Sequence, residues 1–194
     1  MSFSCCGTRV HLGFGFLAAV GLCAFLDPTR SVPAILISVL IHEMGHLAAM
    51  LALGIGVREI TFHLFGARIT PRHRQVPGYA REALIHLSGP LLGLFAALLF
   101  SRMPIGCGAL LCRAGLMLSA FNLLPVRTLD GGGILFAGLC HALGPTAADR
   151  LLRVISALVL LPLCGGAFWM LYRGGENLSL LILSTYLMLT AVMR

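Results

Sequence analysis

Six apolar runs dominate the pattern of hydrophobic and polar positions: Val10–Leu26, Val32–Leu53, Ala83–Phe100, Gly106–Leu124, Leu151–Leu171 and Leu178–Val192. A helix that crosses a bilayer needs ~20 apolar residues, with ~17 as a lower limit. Each run is long enough, or nearly so, to predict a spanning helix. The interruptions are short. Asp27-Pro28 and Pro33 predict a turn between the first two spans, Arg102-Met103-Pro104 another between the third and fourth, and Gly174-Gly175 a third between the fifth and sixth. The longest polar interval follows Gly54-Ile55-Gly56. Within Val57–Thr70, Ile60, Phe62 and Leu64 alternate with Thr61, His63 and Phe65, the period of a half-buried strand. Gly66 allows a turn or bulge there. Unpaired strand backbone cannot face lipid, so this element is expected at the interface or lining a cavity; a cytosolic loop is the alternative.

Composition supports the same picture. Hydrophobic residues make up 58% and charged residues 11% of the 194, which excludes an ordinary soluble domain. The expected fold class is an all-α polytopic membrane protein with six transmembrane helices and a membrane-associated β element after the second. The expected domain organisation is one intramembrane domain over residues 1–194, with no appended PDZ or CBS domain.

The net charge of +7 comes from arginine, for the chain contains no lysine. With the N-terminus in the cytosol, that side carries Arg9, Arg58, Arg68, Arg72, Arg74, Arg81, Arg127, Arg150, Arg153 and Arg194. The other side carries Arg30, Arg102 and Arg173, and Arg113 falls inside a span. This asymmetry follows the positive-inside rule and places both termini in the cytosol. The basic charge thus records topology, and nucleic acid is not an expected partner. A cleaved leader is the alternative for Val10–Leu26, but the next span follows almost at once, and cleavage would invert the charge argument. Seven cysteines without paired metal-ligand spacing predict no disulfide framework.

The chemistry lies in His42-Glu43-Met44-Gly45-His46, inside the second run. Residues four apart on a helix share one face, ~6 Å along the axis. Two imidazoles can therefore reach one metal ion, while Glu43 projects beside them to take a proton from water. An ionisable side chain at bilayer depth costs at least ~2.5–3.5 kcal/mol, so three together call for a metal or a wet cavity. Histidines hydrogen-bonded in a helix bundle are the alternative.

A catalytic zinc site has three protein ligands and an open position. Asp27 and Glu176 lie on the opposite surface by this topology. Glu59 and Glu82 flank the polar loop, and Asp149 opens the fifth span. Asp130 is the strongest candidate, in Asn122-Leu123-Leu124-Pro125-Val126-Arg127-Thr128-Leu129-Asp130-Gly131-Gly132-Gly133. Pro125 stops the apolar helix, and the glycines allow close backbone approach. For Asp130 to reach the metal, Pro125–Asp130 has to fold back into the bundle; an exposed loop aspartate is the alternative.

The HEMGH pentad together with the Asn122, Pro125, Asp130, Gly131 spacing resembles the site-2 protease family of intramembrane zinc proteases. The six-span layout resembles the branch typified by stage IV sporulation protein FB, over about residues 10–190. The resemblance implies one zinc ion on His42, His46 and Asp130, Glu43 as general base, and Asn122 positioning substrate backbone or stabilising the oxyanion. It implies a β element after the HEMGH helix, whose edge pairs with extended substrate. It also implies a membrane-associated protein substrate: a pro-sigma factor in sporulation first, an anti-sigma factor or other membrane-anchored regulator second. Small membrane inhibitor proteins are implied partners, and the bacterial cytoplasmic membrane is the implied location.

The chain departs from the family at two positions: Gly93 stands where an asparagine is common in the third span, and Arg127 where a second proline is common. Gly89, Pro90 and Gly93 are then read as helix-packing residues. His11, His86 and His141 are read as interfacial or packed, and His63 and His73 as loop residues. A metal transporter is a rival class, but it would spread its polar groups along a pathway. An inactive binding homologue is the other rival, disfavoured by the presence of Glu43.

Overall fold

The computed structural model describes residues 2–5, 8–27, 31–63, 66–72, 78–103, 106–174 and 178–193. His73, Glu176, Pro28, Pro104 and Gly175 lie outside the described residues, as does the side chain of His63. Among the described residues four strands and seven helices follow one another as β1 (Ser2–Cys5), β2 (Thr8–Leu12), α1 (Phe14–Leu26), α2 (Val32–Ala52), β3 (Val57–His63), β4 (Gly66–Pro71), α3 (Tyr79–Phe100), α4 (Gly106–Asn122), α5 (Asp130–Leu143), α6 (Pro145–Tyr172) and α7 (Leu178–Met193). Three of these, α2, α3 and α6, are long and apolar enough to cross a membrane. The chain is an integral membrane protein, mostly helical, with one small sheet. It divides into two compact units, Met1–Val76 with Ser88–Ser119, and Pro77–Leu87 with Ala120–Arg194.

In the first unit the strands form one sheet of order β1-β2-β3-β4. The expected strand is there as β3, continued by β4, which pairs with it antiparallel. Two strands were not expected. Thr8–Leu12 overlaps the start of the first apolar run, yet its backbone pairs antiparallel with β1 and parallel with β3, Val10 opposite Ile60. Alternating Val10 and Leu12 suit a strand as well as a span, and available partners decide the outcome. The chain passes from β2 into α1 through Gly13, whose N–H donates to the Phe62 carbonyl at 3.1 Å. The first helix therefore begins at Phe14 rather than Val10.

Helix α2 is capped by Asp27, which accepts from the Val32 N–H at 2.8 Å and from the Ser31 hydroxyl at 3.2 Å. Its buried residues, Ala34, Ser38, His42, Gly45, His46 and Met50, recur at helical period along one face. The remaining surface presents Ile35, Ile37, Leu40, Met44 and Leu51 outward. The most polar groups are inside and the apolar ones outside, as expected where lipid is the solvent.

Small residues let the neighbouring helices close on one another. A Cβ at Gly45 would lie 2.8 Å from the Gly89 Cα on α3, and one at Gly115 on α4 would lie 3.2 Å from the Ala97 Cβ. A Cβ at Gly93 would collide with the Ser119 hydroxyl, so that hydroxyl takes the space a larger residue at position 93 would need. Gly89, Pro90 and Gly93 are all buried.

The second unit centres on Val126, Leu160, Leu187 and Ala191, with Phe121, Leu124, Leu129, Val159 and Leu163 packed around them. Helix α5 was not expected, because Gly131-Gly132-Gly133 reads as a breaker and each glycine costs ~1 kcal/mol in a helix. Tight packing overrides that propensity. A Cβ at Gly131 would collide with the Leu123 carbonyl, and one at Gly132 would lie 2.5 Å from the Val126 carbonyl carbon. Gly144, at φ 78°, and Pro145 then turn the chain from α5 into α6. Near the far end of α6 the Arg173 guanidinium stands 5.2 Å over the Trp169 ring, with both residues exposed, as in an interfacial anchor.

Candidate metal centre

In the first unit, α2 brings the predicted histidine pair together. The Nε2 atoms of His42 and His46 are 3.1 Å apart, and the rings meet edge to face at 79°. His42 is 4% exposed and His46 8%. Zinc–nitrogen bonds of ~2.0–2.1 Å at a tetrahedral angle separate two ligand nitrogens by ~3.3 Å, close to that spacing. The donor pair therefore fits zinc. Glu43 is half-buried one position along the same helix. Gly89 on α3 makes room for His46: a Cβ there would lie 2.5 Å from its Cε1 and 2.9 Å from its Cδ2.

In the second unit, Asp130 opens α5, where a carboxylate interacts favourably with the helix N-terminus. Its Oδ1 accepts from His86 Nδ1 at 3.0 Å. Both residues line a pocket of about 240 Å³ with Glu82, Arg127, Phe136 and Asp149. Arg127 pairs with Asp149 at 2.7 Å, and Asp149 also holds Arg153 at 2.6 Å. The Arg127 backbone N–H donates to the Ser156 hydroxyl at 2.9 Å. The residue that departs from the resembled pattern thus ties the Pro125–Asp130 segment to α6 at both its side chain and its backbone. Burial pushes the Cys140 thiol above the usual cysteine range; the Glu82 and Asp149 charges add to this, and a hydrogen bond from Tyr79 opposes it. A thiol held protonated is a poor metal ligand.

No family model matches the chain. Among characterised and named proteins, stage IV sporulation protein FB of Bacillus subtilis is 27% identical over 149 residues, 74% of this chain and 51% of that protein. A Synechocystis protein named as a zinc metalloprotease, sll0528, is 35% identical over 106 residues, 50% of this chain and 28% of its own. Rip3 of Mycobacterium tuberculosis, likewise named as a zinc metalloprotease, is 30% identical over 146 residues, 66% and 37%. The chain thus spans about half the length of these relatives, or less. The site-2 protease of Methanocaldococcus jannaschii shares the fold, with a TM-score of 0.72 over 100% of this chain and 94% of that one, at 20% identity. The chain is thus similar to named zinc metalloproteases and to stage IV sporulation protein FB, and it has the fold of a site-2 protease.

Among the other acids considered from sequence, Asp27, Glu59 and Asp149 have structural partners. Asp27 caps α2. Glu59 accepts from the Thr61 hydroxyl at 3.1 Å within the sheet and lies 3.6 Å from His11. Asp149 is held by two arginines. Asn122 is the half-buried last residue of α4. Arg113 is exposed on α4, beside an apolar recess formed with Phe100, Met103 and Cys112. The contact the sequence did not signal is that of Asp130 with His86, read there as interfacial or packed. His86 sits in an apolar run without a motif, and its partner is 44 residues away.

Proposed function

We propose that the chain is a zinc endopeptidase that cuts a membrane-associated protein at or near the cytosolic side of the bilayer. The observation that carries this reading is the buried His42–His46 nitrogen pair with Glu43 between them on a membrane-spanning helix. His42, His46 and Asp130 form the proposed ligand set.

When bound there, zinc supplies a Lewis acid for the scissile carbonyl and lowers the pKa of water. Glu43 removes the proton from the attacking water and passes it to the leaving amine. Asn122 donates its amide N–H to the developing oxyanion, a role worth ~3–4 kcal/mol in other hydrolases. The peptide must be extended to be cut, since helical backbone is already hydrogen-bonded. The edge of the sheet that contains β3 offers a strand for it to pair with.

In this reading the six apolar runs are six membrane spans, and the arginine distribution puts both termini in the cytosol. In this reading α1, α4 and α7 join the three longer helices as spans. The likeness to stage IV sporulation protein FB makes a pro-sigma factor the first substrate to test and small membrane proteins the first inhibitors. The test uses the full chain purified in detergent, with zinc per chain and cleavage of a pro-sigma factor as readouts. Glu43→Gln is expected to keep zinc and lose cleavage; Asp130→Ala is expected to lose zinc. Cleavage by the Glu43→Gln protein would refute the assigned base.

A further inference from the structure

We propose that His86 is a positioning residue for Asp130, its Nδ1–H fixing how the carboxylate is presented to the metal. This rests on the ligand set proposed above. The Nδ1–Oδ1 distance of 3.0 Å is that of an ordinary N–H···O bond. A carboxylate can only accept, so the proton of this bond sits on the imidazole nitrogen. The Asp130 side chain is 13% exposed and that of His86 35%, so the bond is partly shielded from water. An aspartate carboxyl turns about an sp³–sp² torsion with broad minima. A directional donor on one oxygen narrows that rotation.

The fold makes room for the imidazole at a separate position. A Cβ on Gly133 would lie 2.5 Å from His86 Cδ2 and 2.7 Å from its Cγ. Gly133 does not have a positive φ, and its N–H makes a regular helical bond to the Leu129 carbonyl at 3.1 Å. Backbone conformation therefore does not demand glycine there, and space for His86 does. The three consecutive glycines divide the work: Gly131 and Gly132 pack α5 onto the preceding turn, and Gly133 admits the residue that orients Asp130.

The test measures zinc affinity of the detergent-purified full chain by chelator competition. An asparagine at position 86 can place its amide nitrogen near the Nδ1 position, whereas glutamine carries it farther out. His86→Ala and His86→Gln are expected to weaken zinc by ~10–100-fold and His86→Asn by less than ~3-fold, on the scale seen for groups that orient metal ligands. Gly133→Ala should behave like His86→Ala, and the double variant should be no weaker than His86→Ala alone. Wild-type affinity in His86→Ala, or equal weakening by Asn and Ala, would overturn the proposal. If His86→Ala does not stay folded, the Asn and Gln variants decide, and equal affinities overturn it. Asp130→Ala separates the two levels. Wild-type affinity there sinks the ligand set itself, whereas weakened binding there with unchanged binding in His86→Ala sinks only the positioning role.

Discussion

Gly89→Ala tests whether the close approach of α2 and α3 holds the histidine pair in place. The added Cβ would stand 2.5 Å from the Cε1 and 2.9 Å from the Cδ2 of His46. Carbon atoms in contact sit ~3.5–4.0 Å apart, so the imidazole has to retreat by ~1 Å. The helices cannot easily separate to share that shift, because Gly45 and Gly89 already bring the two backbones together. A zinc site tolerates errors of ~0.2 Å in its bond lengths. A 1 Å displacement therefore removes His46 from useful geometry, and losing the orientation of a metal ligand typically costs up to ~100-fold in affinity.

The assay is thermal unfolding in detergent, with zinc in excess and with zinc removed by a chelator. A 100-fold loss of affinity for zinc lowers the zinc-dependent part of the stability by ~2.7 kcal/mol. Overpacking alone costs ~1–3 kcal/mol and acts equally with and without zinc, so the difference between the two conditions isolates the metal. An unchanged zinc-dependent stabilisation in Gly89→Ala would refute the reasoning.

Two further substitutions probe the segment that carries Asp130. Gly132→Ala would place a Cβ 2.5 Å from the Val126 carbonyl carbon and 2.9 Å from the Arg127 Cα, both backbone atoms that cannot rotate away. The expected destabilisation is at or above the top of the ~1–3 kcal/mol overpacking range, read as a lower melting temperature of the zinc-free protein. Ser156→Ala removes a fully buried hydroxyl that accepts the Arg127 N–H at 2.9 Å and donates to the Leu152 carbonyl at 2.7 Å. Leaving that N–H without its acceptor should cost ~1–3 kcal/mol in the same measurement, and no change would show that another group replaces the serine.

Much of this organisation is legible in the sequence because membrane solvent imposes simple rules. Apolar length marks the helices, and the HEMGH spacing places both histidines on one face of α2 with no knowledge of its neighbours. Alternation marks β3 through Ile60 and Phe62. The misses share a physical cause: each depends on a distant partner. Thr8–Leu12 becomes a strand because β3 is beside it. Gly131-Gly132-Gly133 reads as a break, yet becomes helical because the Leu123–Arg127 backbone packs where side chains would otherwise be. His86 meets Asp130, 44 residues away along the chain. Gly93 marks a departure from the resembled pattern, and only the position of Ser119 shows what fills that space.

The most direct measurement is zinc X-ray absorption on the purified full chain. The account predicts a first shell of nitrogen and oxygen only, at ~2.0–2.2 Å, with an imidazole signature. That signature should weaken in His42→Ala and His46→Ala, and the metal content should fall in Asp130→Ala. Sulfur scatterers at ~2.3 Å, or a shell unchanged by all three substitutions, would contradict it.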